Sequence, residues 1–412
     1  MDSLAADPPR RPLRESIPPL VMGTATFNTQ YVPDPFDLPA PSIVSRALDL
    51  GVNAFDTSPY YGPSELILGD ALSHPSVTSK HHRSSYFLVT KAGRIAGDEF
   101  DYSPAWIRYS VCRSLERLHT PYLDLVYMHD VEFVSPPEVL DAVRELRRLR
   151  DEGAVRYVGI SGYPVEKLCE LAEMIQKETG EPLDAALSYG HFTIQNTTLG
   201  ASAMQRFEQA GVDVVLNASM LGMGLLTTRG ADAGPMATWH PSPEGLRQAT
   251  HDLVPVAQDA DEKLEVVAIR WSLDNWTRDG APRGSCASRL PSGTRVGVSV
   301  MGISNIAELE ETYRVFNSVI EGLEPETADT EQMRKRQWSL DRRAKIQGVV
   351  EKMWAVLGEW RDYSWSSPGL GFVNTRKPGD IGVTPNDGIL RNYAAKTQVS
   401  CKIEEIPAAL GA

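Results

Sequence analysis

From residue 20 to about 320 the chain alternates short β-branched runs with longer segments whose apolar positions recur every three or four residues. The runs are 19–23, 52–56, 86–90, 123–128, 155–160, 183–188, 212–217 and 295–303, which predicts eight strands. Between them, sets such as Trp106, Ile107, Val111, Leu115 and Leu118, or Ile306, Leu309, Tyr313, Phe316 and Ile320, place one apolar stripe on each helix. Eight βα units of roughly 30 residues fit a closed (β/α)8 barrel of about 250 residues. A doubly wound sheet would carry a G-x-G-x-x-G turn after its first strand, and none stands there. The expected architecture is therefore an α/β protein with a single barrel over 19–323.

Three segments fall outside the repeat. Residues 1–18 are rich in Pro and Arg and read as a flexible tail. Residues 276–295, with Arg278, Arg283, Arg289 and Arg295, precede the last strand, so they belong at the N-terminal face as a surface decoration, away from the chemistry. Residues 324–412 form a C-terminal extension that holds Trp338, Trp354, Trp360 and Trp365, four of the eight tryptophans, which need burial. The simpler arrangement packs the extension on the barrel's flank; the sharper one folds 360–368 over the open end as a wall of the substrate pocket.

Charge narrows the possible partners. Lys+Arg 41 against Asp+Glu 54 gives a net charge of -13, which disfavours nucleic acid and anionic membranes. Cys112, Cys169, Cys286 and Cys401 are far apart and lack metal-ligand spacing, so a reduced, metal-free protein is expected. No apolar leader or membrane-length stretch occurs, and the expected location is cytoplasmic. The expected partner is a small molecule, with the protein a monomer or weak homo-oligomer.

Barrel chemistry is built at the C-terminal ends of strands. The second strand ends in Asp56 and runs into TSPYYG, the third ends in Lys91, and the fourth ends in His129. An Asp, a Tyr, a Lys and a His thus reach one rim. A tyrosine, with an ordinary pKa near 10, needs a nearby cation to exchange protons at neutral pH; Lys91 can supply it and Asp56 can hold Lys91 charged. His129 can orient a substrate oxygen against the tyrosine. Such a set suits proton transfer coupled to hydride transfer at a carbon bearing oxygen.

VNAFDTSPYYG, the Lys in FLVTKAG, LDLVYMHD and GISG together resemble the aldo-keto reductases over residues 19–320. The resemblance implies a catalytic tetrad of Asp56, Tyr61, Lys91 and His129; the spacing from the Asp, with Gly directly after, selects Tyr61 over Tyr60. It also implies a nicotinamide cofactor lying extended across the rim, with contacts from Gly23, Thr24, Asp56, Ser161, Ser188, Ser219, Leu221, Gly302, Ser304, Asn305 and Glu308. The chain departs from the family's pattern at Gly162 and Ser188, where an Asn and a Gln are usual. It departs again at Ala218, in place of the Tyr that stacks on the nicotinamide. The family's hairpin closing the bottom of the barrel is not evident before Pro19, leaving the basic insertion or the extension as candidate covers.

GISGYP, LSYGHF, NASMLGMGLLT and the tail's DYSW and SSP resemble the sugar-oxidising branch of the family, the fungal D-arabinose 1-dehydrogenases and plant L-galactose dehydrogenases. That implies NAD-dependent oxidation of an aldose at C1 to its lactone, with Tyr61 as general base; His191 stands either in reach of a sugar hydroxyl or as a rim histidine satisfied by backbone. Gly302, Ser304 and Glu308 stand where NADP-using members carry cations, so NAD is expected over NADP. The alternatives are an NADPH-dependent reductase of aldehydes or ketones and, from another class, a cofactor-binding regulatory subunit.

Overall fold

A computed structural model describes residues 10–232 and 234–397. Strands β1 (Leu20–Gly23), β2 (Ala54–Asp56), β3 (Phe87–Ala92), β4 (Leu123–His129), β5 (Val155–Gly162), β6 (Ala185–Tyr189) and β7 (Val214–Ala218) are followed by β8 (Ser285–Cys286), β9 (Arg295–Val296) and β10 (Val298–Gly302). All but β8 and β9 close into a barrel of order β1-β10-β7-β6-β5-β4-β3-β2. The pairing is parallel throughout, with Gly23 opposite both Asp56 and Gly302 where the barrel seals. Side chains alternate as strand geometry requires. Val21, Ala54, Val89, Leu125, Tyr157, Ala185, Leu216 and Val300 fill the interior. Their neighbours Met22, Phe55, Leu88, Val126, Val158 and Ala186 pack outward on the helices.

The run 295–303, expected as one strand, is two. Arg295–Val296 pairs antiparallel with Ser285–Cys286, and only Val298–Gly302 joins the barrel. Gly297 makes the break: a Cβ there would stand 2.1 Å from the Trp276 carbonyl oxygen. Trp276 itself lies in the last turn of the preceding helix, Leu264–Asp279, and donates to Val298 O at 2.8 Å, so the insertion proper begins after Asp279. The insertion sits beside the turn Leu13–Glu15, and its Arg283 reaches Val212 O and Glu208 on the outer surface.

The segment expected to be mobile through residue 18 behaves differently from residue 10 onward; residues 1–9 lie outside the described residues. Leu13 and Ile17 are 0% and 2% exposed and belong to the interior core, so this short turn plugs the bottom of the barrel. Arg10 forks onto Asp184 at 3.0 and 2.8 Å, and Arg14 binds Asp213 through both its backbone N–H and its guanidinium. Those acids precede β6 and β7, which fixes the plug to the N-terminal end. Two apolar residues four apart among Pro and Arg are enough to anchor it.

The extension packs on the flank and also crosses the open end of the barrel. Its helix Thr330–Leu357, capped by Asp329, lies on the flank and buries Ile346, Val349, Val350, Met353 and Leu357 against the helices Leu264–Asp279 and Ile306–Leu323. Trp338 is the exception to the burial expected of the tryptophans: it is 58% exposed, on the solvent face beside the Ser339 that meets buried Arg270. Beyond Gly358 the chain becomes a strap over the rim. Gln195 Nε2 donates to Trp360 O and Tyr363 O, Phe372 sets its ring edge on Phe133 and Phe100, and Thr375 N donates to Asp98 O. The helix Ile389–Thr397 ends it against Pro104–Arg117.

If the N-terminal turn is a true plug, Leu13→Ala should cost about 2–5 kcal/mol of unfolding free energy in urea titration, as for other buried Leu truncations. A loss within ~0.5 kcal/mol, the usual range for a surface change, would show the turn to be dispensable.

Candidate active site

The same alternation that fills the interior determines what stands at its mouth. Two residues beyond Ala54, Val89 and Tyr127, the inward positions are Asp56, Lys91 and His129, on three neighbouring strands. Continuing round the ring, Ser161, Tyr189, Ala218, Gly302 and Gly23 are the inward residues at the ends of β5, β6, β7, β10 and β1. Tyr61 enters from the loop after β2. Its N–H donates to Ser58 O at 3.0 Å, and Gly62, at φ 56°, makes the left-handed turn that starts the helix Ser64–Ser73.

Lys91 Nζ donates to Asp56 Oδ1 at 2.7 Å and to Thr57 O at 2.9 Å, and lies 4.8 Å from the Tyr61 ring centre. The Tyr61 ring is edge-on to His129, with centres 5.7 Å apart. Burial, reinforced by the Asp56 and Asp130 carboxylates, pushes the Tyr61 phenol well above its usual range, while Arg94 works against them. The phenol is thus a proton holder until something else favours its anion. Burial pushes Asp56 upward too, against the pull of Lys91, and leaves its Oδ2 without a partner. His129 is pressed down to about 3 by burial, so its imidazole stays neutral. Its Nδ1 is 3.0 Å from Ser58 Oγ, which already accepts from Tyr60 N; the Ser58 proton can therefore go to Nδ1, leaving Nε2–H as donor.

The other implied residues divide. Thr24 is sealed beneath the rim, its hydroxyl bonded to Asp56 O and Ser64, and ties β1 to β2. Ser161 faces inward beside His129, donating to Met128 O at 3.3 Å. Ser188 lies on the outer side of β6, with Leu187 and Tyr189 inward, and its hydroxyl meets His191 Nδ1 at 3.4 Å. His191 does not face a substrate either. It is 1% exposed, held by Tyr189 O, and its Nε2 meets Ser364 Oγ at 3.3 Å, so it anchors the strap.

On the opposite arc of the mouth the inward residues are the small Gly23, Ala218 and Gly302; a Cβ at Gly23 would crowd Val300 at 3.3 Å and one at Gly302 would crowd Thr26 at 3.2 Å, so neither position readily takes a side chain. Ser219 and Met223 adopt left-handed backbone in the loop after β7, beside half-buried Leu221. Asn305 caps the helix Ile306–Leu323 by accepting from Glu308 N, and Glu308 accepts from Ser304 N and Oγ at 2.8 and 2.7 Å. A room of small residues, a curled loop and an exposed helix start with no cation fit an extended nicotinamide dinucleotide of the kind the resemblance implies.

Trp365 lies in the 360–368 segment considered as a wall of the pocket, whereas its partners and several other residues at the mouth escaped the reading of the chain. Trp365 stacks on Tyr163, with centres 4.5 Å apart, and sets its edge on His240 at 5.4 Å, so one strap residue bridges the loops after β5 and β7. Trp239, next to His240, meets Tyr31 from the loop after β1. Arg94, with its guanidinium over the Tyr60 ring at 3.9 Å, ion-pairs with Asp130. The available signals were proximity to Lys91 for Arg94 and to His129 for Asp130. The aromatic bridge had none, because its members are far apart in sequence. Among the described residues no group of three potential ligands could hold a metal, and no helix is long and apolar enough to cross a membrane.

Comparison with known proteins agrees with this geometry. Residues 19–326 match the Aldo/keto reductase family. The chain is 41% identical over 308 residues to D-arabinose 1-dehydrogenase of Saccharomyces cerevisiae, covering 74% of this chain and 85% of that one. It is 32% identical over 289 residues to L-galactose dehydrogenase of Arabidopsis thaliana, covering 69% and 84%. With the barrel, the rim and the matched span all coinciding, the chain is an oxidoreductase of the aldo/keto reductase family.

Proposed function

We propose that the protein oxidises an aldopyranose of the D-arabinose or L-galactose type at C1 to its lactone, with NAD as the preferred hydride acceptor. The observation that carries this reading is the convergence of the Tyr61 phenol, the Lys91–Asp56 pair and the neutral His129 on one inward-facing arc. The bound nicotinamide would accept the hydride leaving C1. His129 Nε2–H would hold the sugar's reacting oxygen, and Tyr61 would take its proton, with Lys91 favouring the phenolate. Identity to the two named sugar dehydrogenases supports the substrate class. Trp365, Trp239 and Tyr31 offer the flat apolar faces on which a sugar ring packs. Ser161, Ser219, Leu221, Gly302, Ser304, Asn305 and Glu308 would line the dinucleotide.

One observation favours a second reading. Burial and two carboxylates keep the Tyr61 phenol in its protonated form, the form from which reduction of an aldehyde or ketone with NADPH would start. Rates of D-arabinose oxidation and aldehyde reduction, each with both cofactors, separate the two.

Tyr61→Phe should lower turnover by about 10²- to 10⁴-fold with NAD affinity nearly intact. Retention of half the wild-type rate would transfer the role to Tyr60. For the pocket wall, Trp365→Ala should raise the sugar KM several-fold at unchanged NAD affinity, and Trp365→Phe should recover most of it; equal KM values in all three proteins would remove the strap from substrate binding. Cofactor choice is the third measurement. Glu308 can accept from a ribose 2′-hydroxyl and would repel a 2′-phosphate, so NAD should be favoured by about tenfold in kcat/KM, ~1.4 kcal/mol. Ser304→Arg with Glu308→Arg should narrow or invert the ratio, and wild-type use of NADP equal to NAD would overturn the assignment.

A further inference from the structure

A second charged pair stands against the tetrad and has no part in the mechanism above. Arg94 lies three residues beyond Lys91 on the same rim. Its guanidinium is fixed on four sides: over the Tyr60 ring at 3.9 Å, to Asp130, to Ala96 O at 3.3 Å and to Gly97 O at 2.9 Å. Asp130 is 1% exposed and takes a left-handed backbone, φ 56°, which turns it back toward the residue it follows. Its Oδ2 is 3.6 Å from His129 Nε2, and Oδ1 has no partner. A buried carboxylate in a strained conformation, left half unsatisfied, is costly unless the site uses it. Tyr60, on which Arg94 rests, packs on both Tyr61 and His129, with centres 6.2 and 5.7 Å away.

We propose that Arg94 is a positioning residue and the second cation of the active site: clamped by Asp130 and stacked on Tyr60, it holds positive charge beside the Tyr61 phenol. This rests on the proton-transfer role proposed for Tyr61. The groups facing that phenol are Lys91 and Asp56 from β3 and β2, His129 and Asp130 from the end of β4, Arg94, and the phenols of Tyr60, Tyr31 and Tyr189. Lys91 is already engaged by Asp56 and Thr57 O, so the charge of Arg94 is the counterweight to that of Asp130. Charges of opposite sign shift a nearby ionising group in opposite directions, by about one pKa unit or more when they lie within ~4–6 Å of it.

The signs give the test. With D-arabinose and NAD, the rate rises as Tyr61 ionises. Arg94→Met removes a cation, so its rising limb should move to higher pH by about one unit; Asp130→Asn removes an anion, so its limb should move to lower pH. Arg94→Lys should restore most of the wild-type limb, and the double variant Arg94→Met with Asp130→Asn should fall between the single ones. NAD affinity, read by quenching of tryptophan fluorescence, should stay within about twofold in all four. Limbs that coincide with wild type, or shifts of the same sign in both single variants, would overturn the proposal and leave the pair a loop clamp. Should Arg94→Met fail to fold, Asp130→Asn still decides by the direction of its shift, an upward or absent shift overturning the proposal, and Arg94→Lys should stay near the wild-type limb. The same limbs are read in reduction of 4-nitrobenzaldehyde with NADPH, where Tyr61 is the acid and removal of a cation again moves the limb upward. A wild-type protein inactive on D-arabinose but active on the aldehyde would therefore count against the sugar reading and leave the Arg94 test intact.

Discussion

A lysine ammonium buried at the mouth of the barrel sets the terms for everything around it. Lys91 and Asp56 are 2% and 5% exposed, and neither could be placed there alone, because a lone charge out of water is costly. Their contact requires β2 and β3 in a register that points both residues inward, and that register also sends Phe55 and Leu88 outward to the helices. One pairing thus joins the hydrophobic closure of the barrel to the polarity of its rim. It also bears on the neighbours: the ammonium that donates to Asp56 and Thr57 O lies 4.8 Å from the Tyr61 ring, and its charge acts there together with those of Arg94 and Asp130.

Most of the barrel was legible because strand periodicity is local. The runs ending in Asp56, Lys91 and His129 carry their own direction, and a residue two beyond an inward Ala, Val or Tyr must be inward as well. At β6 the family resemblance, not the alternation, set Ser188 at the cofactor; it lies on the outer side, and the inward residues are Leu187 and Tyr189. Aligning a polar residue with a polar role ignored which face the pleat presents. Where position depended on contacts distant in sequence, the chain gave little sign. The plug Leu13 and Ile17 is hidden among Pro and Arg, and its purchase on Asp184 and Asp213 spans much of the barrel's length. Trp338 went astray for a related reason: a tryptophan on a long helix can sit on the wet face when the buried stripe is made by smaller residues.

The mouth is divided between two kinds of wall. The arc from β3 to β6 is covered by the strap, through Gln195, Tyr163, Phe133, Phe100 and Asp98. The arc from β7 through β10 to β1 is lined by small residues and by an exposed helix start. Polar and charged side chains with proton-moving capacity lie along the boundary, on β2, β3 and β4, so both arcs can reach them.

The strap is made of residues that follow the last barrel strand, and no strand of the closed sheet passes through it. Its purchase on the rim comes from hydrogen bonds, ring contacts and the pairing of Arg376 with Glu99 and Asp101, while Trp360, Trp365 and Phe372 rest on the outside of the apolar layer that holds the sheet closed. Inheritance can therefore treat the two separately. Substitutions between 359 and 388 can reshape one side of the mouth while the residues that close the cylinder and bury Lys91 stay untouched, so lineages sharing one chemistry can diverge in what they admit to it through this stretch of chain alone.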